Sequence, residues 1–354
     1  MVLGRRSKLN MAESRIPSLD GARAISIGLV IVAHLDLARD VPGLWRLDMG
    51  NLGVRVFFVI SGFIITTLLL TEQQRSGSVS LVSFYRRRSF RILPAYYTFL
   101  GTVMLLAALR GDAATWTKVW PATIFVADYV TVPLAVSHTW SLAVEEQFYL
   151  LWPAMFLLGL RKSCFGCIAI LFLAPLFRIL ANTGLWPTNP RYAFECVADA
   201  LAVGCLLAIL RARLWDNSTY RRFVSSPLSL SLLLAAILLI AVEQNKGAIY
   251  DTVGLSLLNL GIAIALDRYM RFPGSMFGRF LNLAPIVWLG FLSYSLYLWQ
   301  QLFAWAPLPT FLKLLLMLGC ATLSYYAIER PFQRLRRWVE LRGTVGDTKQ
   351  GSAV

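Results

Sequence analysis

The stretch Asp20-Gly21-Ala22-Arg23-Ala24-Ile25-Ser26-Ile27-Gly28-Leu29-Val30-Ile31-Val32-Ala33-His34-Leu35-Asp36 decides how the chain is read. It opens on an acid and an arginine, runs almost wholly apolar, and ends near one of only two histidines among 354 residues. Arg23 and His34 are eleven residues apart. Eleven steps of about 100° make roughly three turns, so a helix carries both on one face, about 16 Å apart along its axis. Asp20 falls about 40° off that face. An arginine and a histidine in an apolar helix are costly at membrane depth unless something uses them. The rest of the chain is expected to surround that face.

Hydrophobic residues make up 57% of the chain and charged residues 15%, and the mean hydropathy is +0.61. Soluble domains are about half apolar and a quarter charged. Several apolar runs approach the ~20 residues that span a bilayer, which makes this a polytopic membrane protein. The net charge of +15 sits largely in short loops and tails beside apolar runs. That is the bias of cytoplasmic loops, and it argues against nucleic-acid binding. Cys164 and Cys167 have redox or zinc spacing, but no second pair or histidine accompanies them. They are expected to be packing residues, and no metal is expected. Asn217-Ser218-Thr219 fits a glycosylation acceptor but falls in a loop assigned to the cytoplasm.

Apolar runs occur near 21–38, 52–71, 92–109, 120–136, 142–160, 165–182, 193–210, 227–242, 251–266, 286–305 and 310–328. Basic clusters fix the sides. Those at Arg5–Lys8, Arg86–Arg91, Arg161–Lys162, Arg211–Arg222, Arg268–Arg279 and Arg330–Arg337 are expected inside. An even number of crossings must then separate Arg91 from Arg161. The weakest run between them, 120–136, carries Asp128, Pro121 and Pro133. It is expected to be interfacial or re-entrant, which membrane depth tolerates only when protein buries it. The predicted fold is all-α, a polytopic membrane helix bundle with about ten transmembrane helices plus one re-entrant or interfacial segment. Residues 16–338 form a single membrane domain between cytoplasmic tails at 1–15 and 339–354.

Five further stretches carry polar groups within or beside the apolar runs. Gly53-Val54-Arg55-Val56-Phe57-Phe58-Val59-Ile60-Ser61-Gly62-Phe63 offers small residues for close helix packing or for a ligand. Arg86-Arg87-Arg88-Ser89-Phe90-Arg91, leading into Ile92-Leu93-Pro94, fits either a topology signal beside anionic lipid or a site for the phosphates of coenzyme A. His138-Thr139-Trp140-Ser141-Leu142-Ala143-Val144-Glu145-Glu146-Gln147-Phe148-Tyr149 brings carboxylates, an amide and the second histidine into an apolar segment. Near the end stand Ser293-Tyr294-Ser295-Leu296-Tyr297-Leu298-Trp299-Gln300 and then Glu329-Arg330-Pro331-Phe332, the latter expected to end a helix.

Together with Ile16-Pro17-Ser18-Leu19-Asp20-Gly21-Ala22-Arg23-Ala24, these stretches resemble the acyltransferase 3 family of membrane O-acyltransferases, in order and over almost the whole chain. The resemblance implies transfer of an acyl group, most often acetyl, from cytoplasmic acyl-coenzyme A. The acceptor implied is a sugar hydroxyl of a cell-surface or lipid-linked glycan, or a small secreted molecule such as a macrolide. It also implies that His34 is essential, with Arg23 as its companion, and that the run of Arg87, Arg88 and Arg91 serves the donor. On that basis His34 is expected to act as general base with Arg23 and Glu145 beside it. Asp20, Ser61, Trp140, Ser141, Gln147, Tyr149 and Tyr297 are expected along the channel. The expected partners are acyl-coenzyme A, a glycan or lipid-linked sugar and membrane lipid, in a bacterial cytoplasmic membrane with both termini inside. Two positions depart from the family pattern: Gln300 stands where a histidine is frequent, and Arg55 where an acid is frequent. A transporter or flippase would also place Arg, His and Glu at membrane depth. Against it, the sequence holds no inverted repeat or matched pair of broken helices.

Overall fold

The computed structural model describes residues 16–37, 41, 47–240, 242 and 250–350. The expected N-terminal tail lies outside these residues. Fifteen α-helices follow one another among the described residues: α1 Leu19–His34, α2 Met49–Ser76, α3 Leu81–Leu109, α4 Ala113–Lys118, α5 Trp120–Thr123, α6 Thr139–Leu157, α7 Leu160–Asn182, α8 Phe194–Asp216, α9 Ser218–Ser225, α10 Pro227–Ile240, α11 Leu255–Arg271, α12 Met276–Leu281, α13 Ala284–Ala304, α14 Thr310–Ser324 and α15 Arg330–Gln350. The only β pairing among the described residues is the isolated bridge between Leu47 and Val242.

Among the described residues, five helical segments are long and apolar enough to cross a membrane: Met49–Ser76, Leu81–Leu109, Leu160–Asn182, Thr252–Arg271 and Thr310–Glu340. A sixth arises if α9 and α10, bent by 76°, form one span. Length and composition therefore support an all-helical integral membrane protein but do not reach the expected count of about ten. The shortfall has a physical cause. Helix α1 has 16 residues, while α6, α8 and α13 carry carboxylates, hydroxyls and amides that lower their hydropathy. These helices lie inside the bundle, where polar groups find partners. Helices α7 and α14 face outward instead, with Phe165, Phe172, Phe311, Leu315 and Leu323 exposed as a lipid-facing surface requires. The run at 120–136 holds only α5 and a 3₁₀ turn at Leu134–Val136.

Small residues set the spacing of the inner helices. A Cβ on Gly62 of α2 would stand 2.0 Å from the Leu201 carbonyl oxygen of α8, and one on Gly204 of α8 would stand 2.1 Å from the Val59 carbonyl oxygen. Gly290 of α13 approaches Asp20 of α1 as closely, and Gly53 meets Ser26. So Gly53 and Gly62 serve helix packing. Gly62→Ala must drive α2 and α8 apart, because backbone cannot yield as a flexible side chain can. Overpacking of this kind costs about 1–3 kcal/mol. The variant is expected to unfold in detergent at a clearly lower temperature than the parent. An unchanged unfolding temperature would contradict the packing account.

The start of α1 is anchored. Ser18 takes a left-handed backbone (φ 66°), a strained conformation for a residue with a Cβ. Three bonds hold it there: its N–H donates to Asn282 Oδ1, its hydroxyl to the Tyr269 carbonyl, and it accepts from Asn282 Nδ2. At the other end of the chain, the expected helix terminus at Glu329-Arg330-Pro331-Phe332 is absent. Helix α14 passes through a π-helical turn, Tyr325–Glu329, straight into α15. Pro331 lacks the N–H that a regular α turn would use, and the chain widens there, with Arg330 N–H donating to the Tyr325 carbonyl. Residues 339–350, expected as part of a tail, continue α15. Residues 351–354 lie outside the described part.

Candidate active site

Helix α1 runs past two cavities, one at each of its polar residues. The first, of about 80 Å³, is lined by Arg23 together with Ser61, Arg88, Arg91, Glu145, Tyr149 and Tyr294. The second, of about 420 Å³, is lined by His34 together with Asn51, Asp128, His138, Trp140, Asn189 and Tyr192. Among the described residues, only Val54 and Tyr297 line both. The polar face of α1 is thus divided between an arginine-side and a histidine-side cavity, with a wall between them.

On the arginine side, α3 supplies Arg88 and Arg91. Arg88 lies over the Tyr149 ring, 3.6 Å from its centroid, a cation–π contact. The Glu145 carboxylate accepts from the Ser61 hydroxyl at 2.8 Å, which joins α6 to α2. Tyr294 closes the cavity by donating to the Ile92 carbonyl at 2.9 Å. Arg87 does not line the cavity; it forms an ion pair with Glu72 of α2. The three arginines proposed for phosphate binding therefore divide into two at the cavity and one beside it. Glu329 was not among the expected site residues. It is buried next to this region and accepts from Ser295.

On the histidine side, His34 Nδ1 lies 3.0 Å from the Val30 carbonyl. A carbonyl only accepts, so Nδ1 carries the hydrogen, and in the neutral ring Nε2 keeps its lone pair. That tautomer can take a proton at Nε2. Trp140 lies beside Tyr192, with ring centroids 4.8 Å apart, and edge-on to Phe58. Gln147 lines neither cavity. Its amide donates to the Phe125 carbonyl and to Asp128, both at 2.9 Å, and so holds the loop that forms the cavity rim. Burial raises the Asp128 carboxyl to about 6, against the opposing hydrogen bond from Gln147. The rim therefore loses a negative charge below about that pH. The Asp20 backbone packs against Gly290, and the residue lines neither cavity.

The second histidine, His138, belongs to the 138–149 motif and carries no role in the sequence expectations. It is buried and lines the same cavity as His34, with its ring edge-on to Phe99 and Tyr297. The signal that could have paired the two was their rarity. Asn189 and Tyr192 come from the turn before α8, where no motif marks them. Arg55, in the second turn of α2, is 2% exposed and held by Asn51 and Asn259. Gln300 is also fully buried. Among the described residues, no group of three or more His, Cys, Asp or Glu could hold a metal ion.

Comparison with known proteins bears on this geometry. A family profile described as an acyltransferase domain matches residues 16–335. The O-acetyltransferase OatA of Staphylococcus aureus (strain NCTC 8325 / PS 47) is 28% identical over 365 residues, covering 90% of this chain and 57% of the relative. A putative peptidoglycan O-acetyltransferase, YrhL of Bacillus subtilis (strain 168), is 29% identical and covers 90% of this chain and 55% of the relative. The peptidoglycan O-acetyltransferase OatA of Listeria monocytogenes is 30% identical, covering 80% of this chain and 49% of the relative. This chain thus spans about half the length of these relatives. No solved structure matches it.

Proposed function

Because the chain belongs to the acyltransferase 3 family, whose profile spans residues 16–335, we propose that it is an O-acetyltransferase of the bacterial cytoplasmic membrane. In this reading it crosses the membrane about ten times, with both termini inside, and Asp128 and its loop sit on the acceptor side. It moves an acetyl group from cytoplasmic acetyl-coenzyme A to a sugar hydroxyl of a cell-surface or lipid-linked glycan. The names of the relatives, peptidoglycan O-acetyltransferases among them, favour a glycan over a small secreted molecule. The observation that carries the reading is the division of α1, with Arg23 in one cavity and His34, its Nε2 free to take a proton, in the other.

The donor's phosphates bind at Arg88 and Arg91, whose guanidinium forks suit phosphate oxygens. The thioester reaches the wall formed by Val54 and Tyr297. The acceptor hydroxyl enters from the larger cavity, and His34 Nε2 removes its proton as the oxygen attacks the thioester carbonyl carbon. The new C–O bond forms, the C–S bond breaks, and the proton passes from His34 to the departing thiolate. Glu145, held by Ser61, and Arg23 shape the donor passage, and Trp140 borders the acceptor cavity. Asp20 and Gln147 support helix packing and the loop. Arg87 orders the mouth through Glu72.

Arg88→Gln tests the donor assignment. A hydrogen bond to a charged group contributes about 1.5–3 kcal/mol. The KM for acetyl-coenzyme A is therefore expected to rise about 10- to 100-fold in membrane vesicles, with a smaller change in KM for the acceptor. A donor KM that stays within twofold of the parent would overturn this placement of the phosphates.

A further inference from the structure

We propose that Val54 and Tyr297 form the constriction that selects the length of the transferred acyl group, and that Val54 is the side of it that sets the limit. The inference rests on the acyltransferase reading above and names which acyl donors the site takes. Its ground is the geometry of the two cavities. They share no other lining residue among the described ones. A thioester held from the arginine side and a hydroxyl activated by His34 meet only if the acyl carbonyl lies at that shared wall. The carbons beyond the carbonyl are then enclosed by the same two side chains.

The two sides of the wall differ in firmness. The Tyr297 hydroxyl is within hydrogen-bond distance of the Ser141 hydroxyl (2.5 Å) and the His138 carbonyl (3.0 Å), which fastens α13 to the start of α6. Its ring is also edge-on to Phe57 and His138. Tyr297 is therefore fixed on three sides. Val54 lines the same two cavities from α2, one residue after Gly53, where the α2 backbone packs tightly on Ser26 of α1. That contact fixes the backbone beneath Val54, so the gap depends on the size of the side chain there. Valine has two methyl groups at this point, about the volume by which butyryl exceeds acetyl. One methylene more or less in an apolar pocket changes discrimination by about 10- to 200-fold.

The experiment uses inside-out vesicles from the native membrane, which contain the acceptor. Vesicles lacking the protein give the background. Radiolabelled acetyl-, propionyl- and butyryl-coenzyme A are supplied one at a time, and alkali-labile ester on glycan is counted. The readout is the ratio of butyryl to acetyl transfer, so any general loss of activity or of folded protein cancels. Val54→Ala is expected to raise this ratio at least about 10-fold, and Val54→Ile to lower the ratio of propionyl to acetyl transfer. Ratios that stay within twofold of the parent in both variants, while the parent transfers acetyl, overturn the constriction and leave the acyltransferase reading standing. Absence of transfer of any acyl group by the parent overturns the acyltransferase reading, and this inference with it.

Discussion

His34→Ala abolishes acetyl transfer and leaves a folded protein. General-base catalysis contributes about 10²- to 10⁴-fold, so residual transfer is expected below about 1% of the parent. The fold is expected to survive because His34 is only partly buried, at the last turn of α1, and its one bond is to the Val30 carbonyl within its own helix. No other element depends on that bond. The measurement is label transferred to glycan, beside the unfolding temperature of the purified protein. His34→Gln provides a stricter comparison, since an amide restores polarity and bulk but cannot accept a proton near neutral pH. Near-parental transfer by either variant would remove His34 from the mechanism. A variant that fails to fold would instead show that His34 is structural.

The second large effect concerns stability. Arg178 of α7 is fully buried and reaches partners on α8 and on the segment Thr252–Arg271. Its Nε donates to the Cys196 carbonyl and its Nη1 to the Thr252 carbonyl, both at 2.7 Å. Its Nη2 forms an ion pair with Asp199 and donates to Ser256 at 3.3 Å. Ser256 donates in turn to Asp199 at 2.6 Å, and Arg55 stands 4.0 Å from the other oxygen of that carboxylate. Two guanidinium groups thus converge on one buried acid between α2, α7, α8 and α11. Removing one partner of a buried pair strands the other and costs about 3–5 kcal/mol. Arg178→Met is expected to lose that much in denaturant unfolding, with its midpoint well below the parent's. Adding Asp199→Leu removes the stranded charge, so the double variant should lose less than the two single losses combined. A loss below about 1 kcal/mol for Arg178→Met would contradict the network's structural role.

This network also marks a limit of what the chain's order of residues reveals. Arg178 and Asp199 each stand in an apolar run, which is a signal of burial or function, yet nothing local states that they pair. The polar face of α1 was legible because helical spacing alone puts Arg23 and His34 on one side. The packing glycines at 53 and 62 were legible as small residues, but whether they served helices or a ligand was decided only by the carbonyls opposite them. The wall at Val54 and Tyr297 was not legible, since it joins helices far apart in the chain. Arg87 looked equivalent to Arg88 and Arg91 until Glu72, on the preceding helix, claimed it. The membrane segments were legible by composition where they face outward, as in α7 and α14. They were less so where polar site residues dilute the pattern, as in α6 and α13.

Donor and acceptor are expected to meet at the wall between the two cavities, with His34 on the acceptor side. This meeting is tested most directly by an experimental structure of the protein with a non-hydrolysable acetyl-coenzyme A analogue. The expected result is phosphates at Arg88 and Arg91 and the acyl carbonyl between Val54 and Tyr297, with His34 Nε2 facing it across room for one hydroxyl. Phosphates bound elsewhere, or an acyl carbonyl separated from His34 by more than an acceptor hydroxyl can bridge, would contradict it.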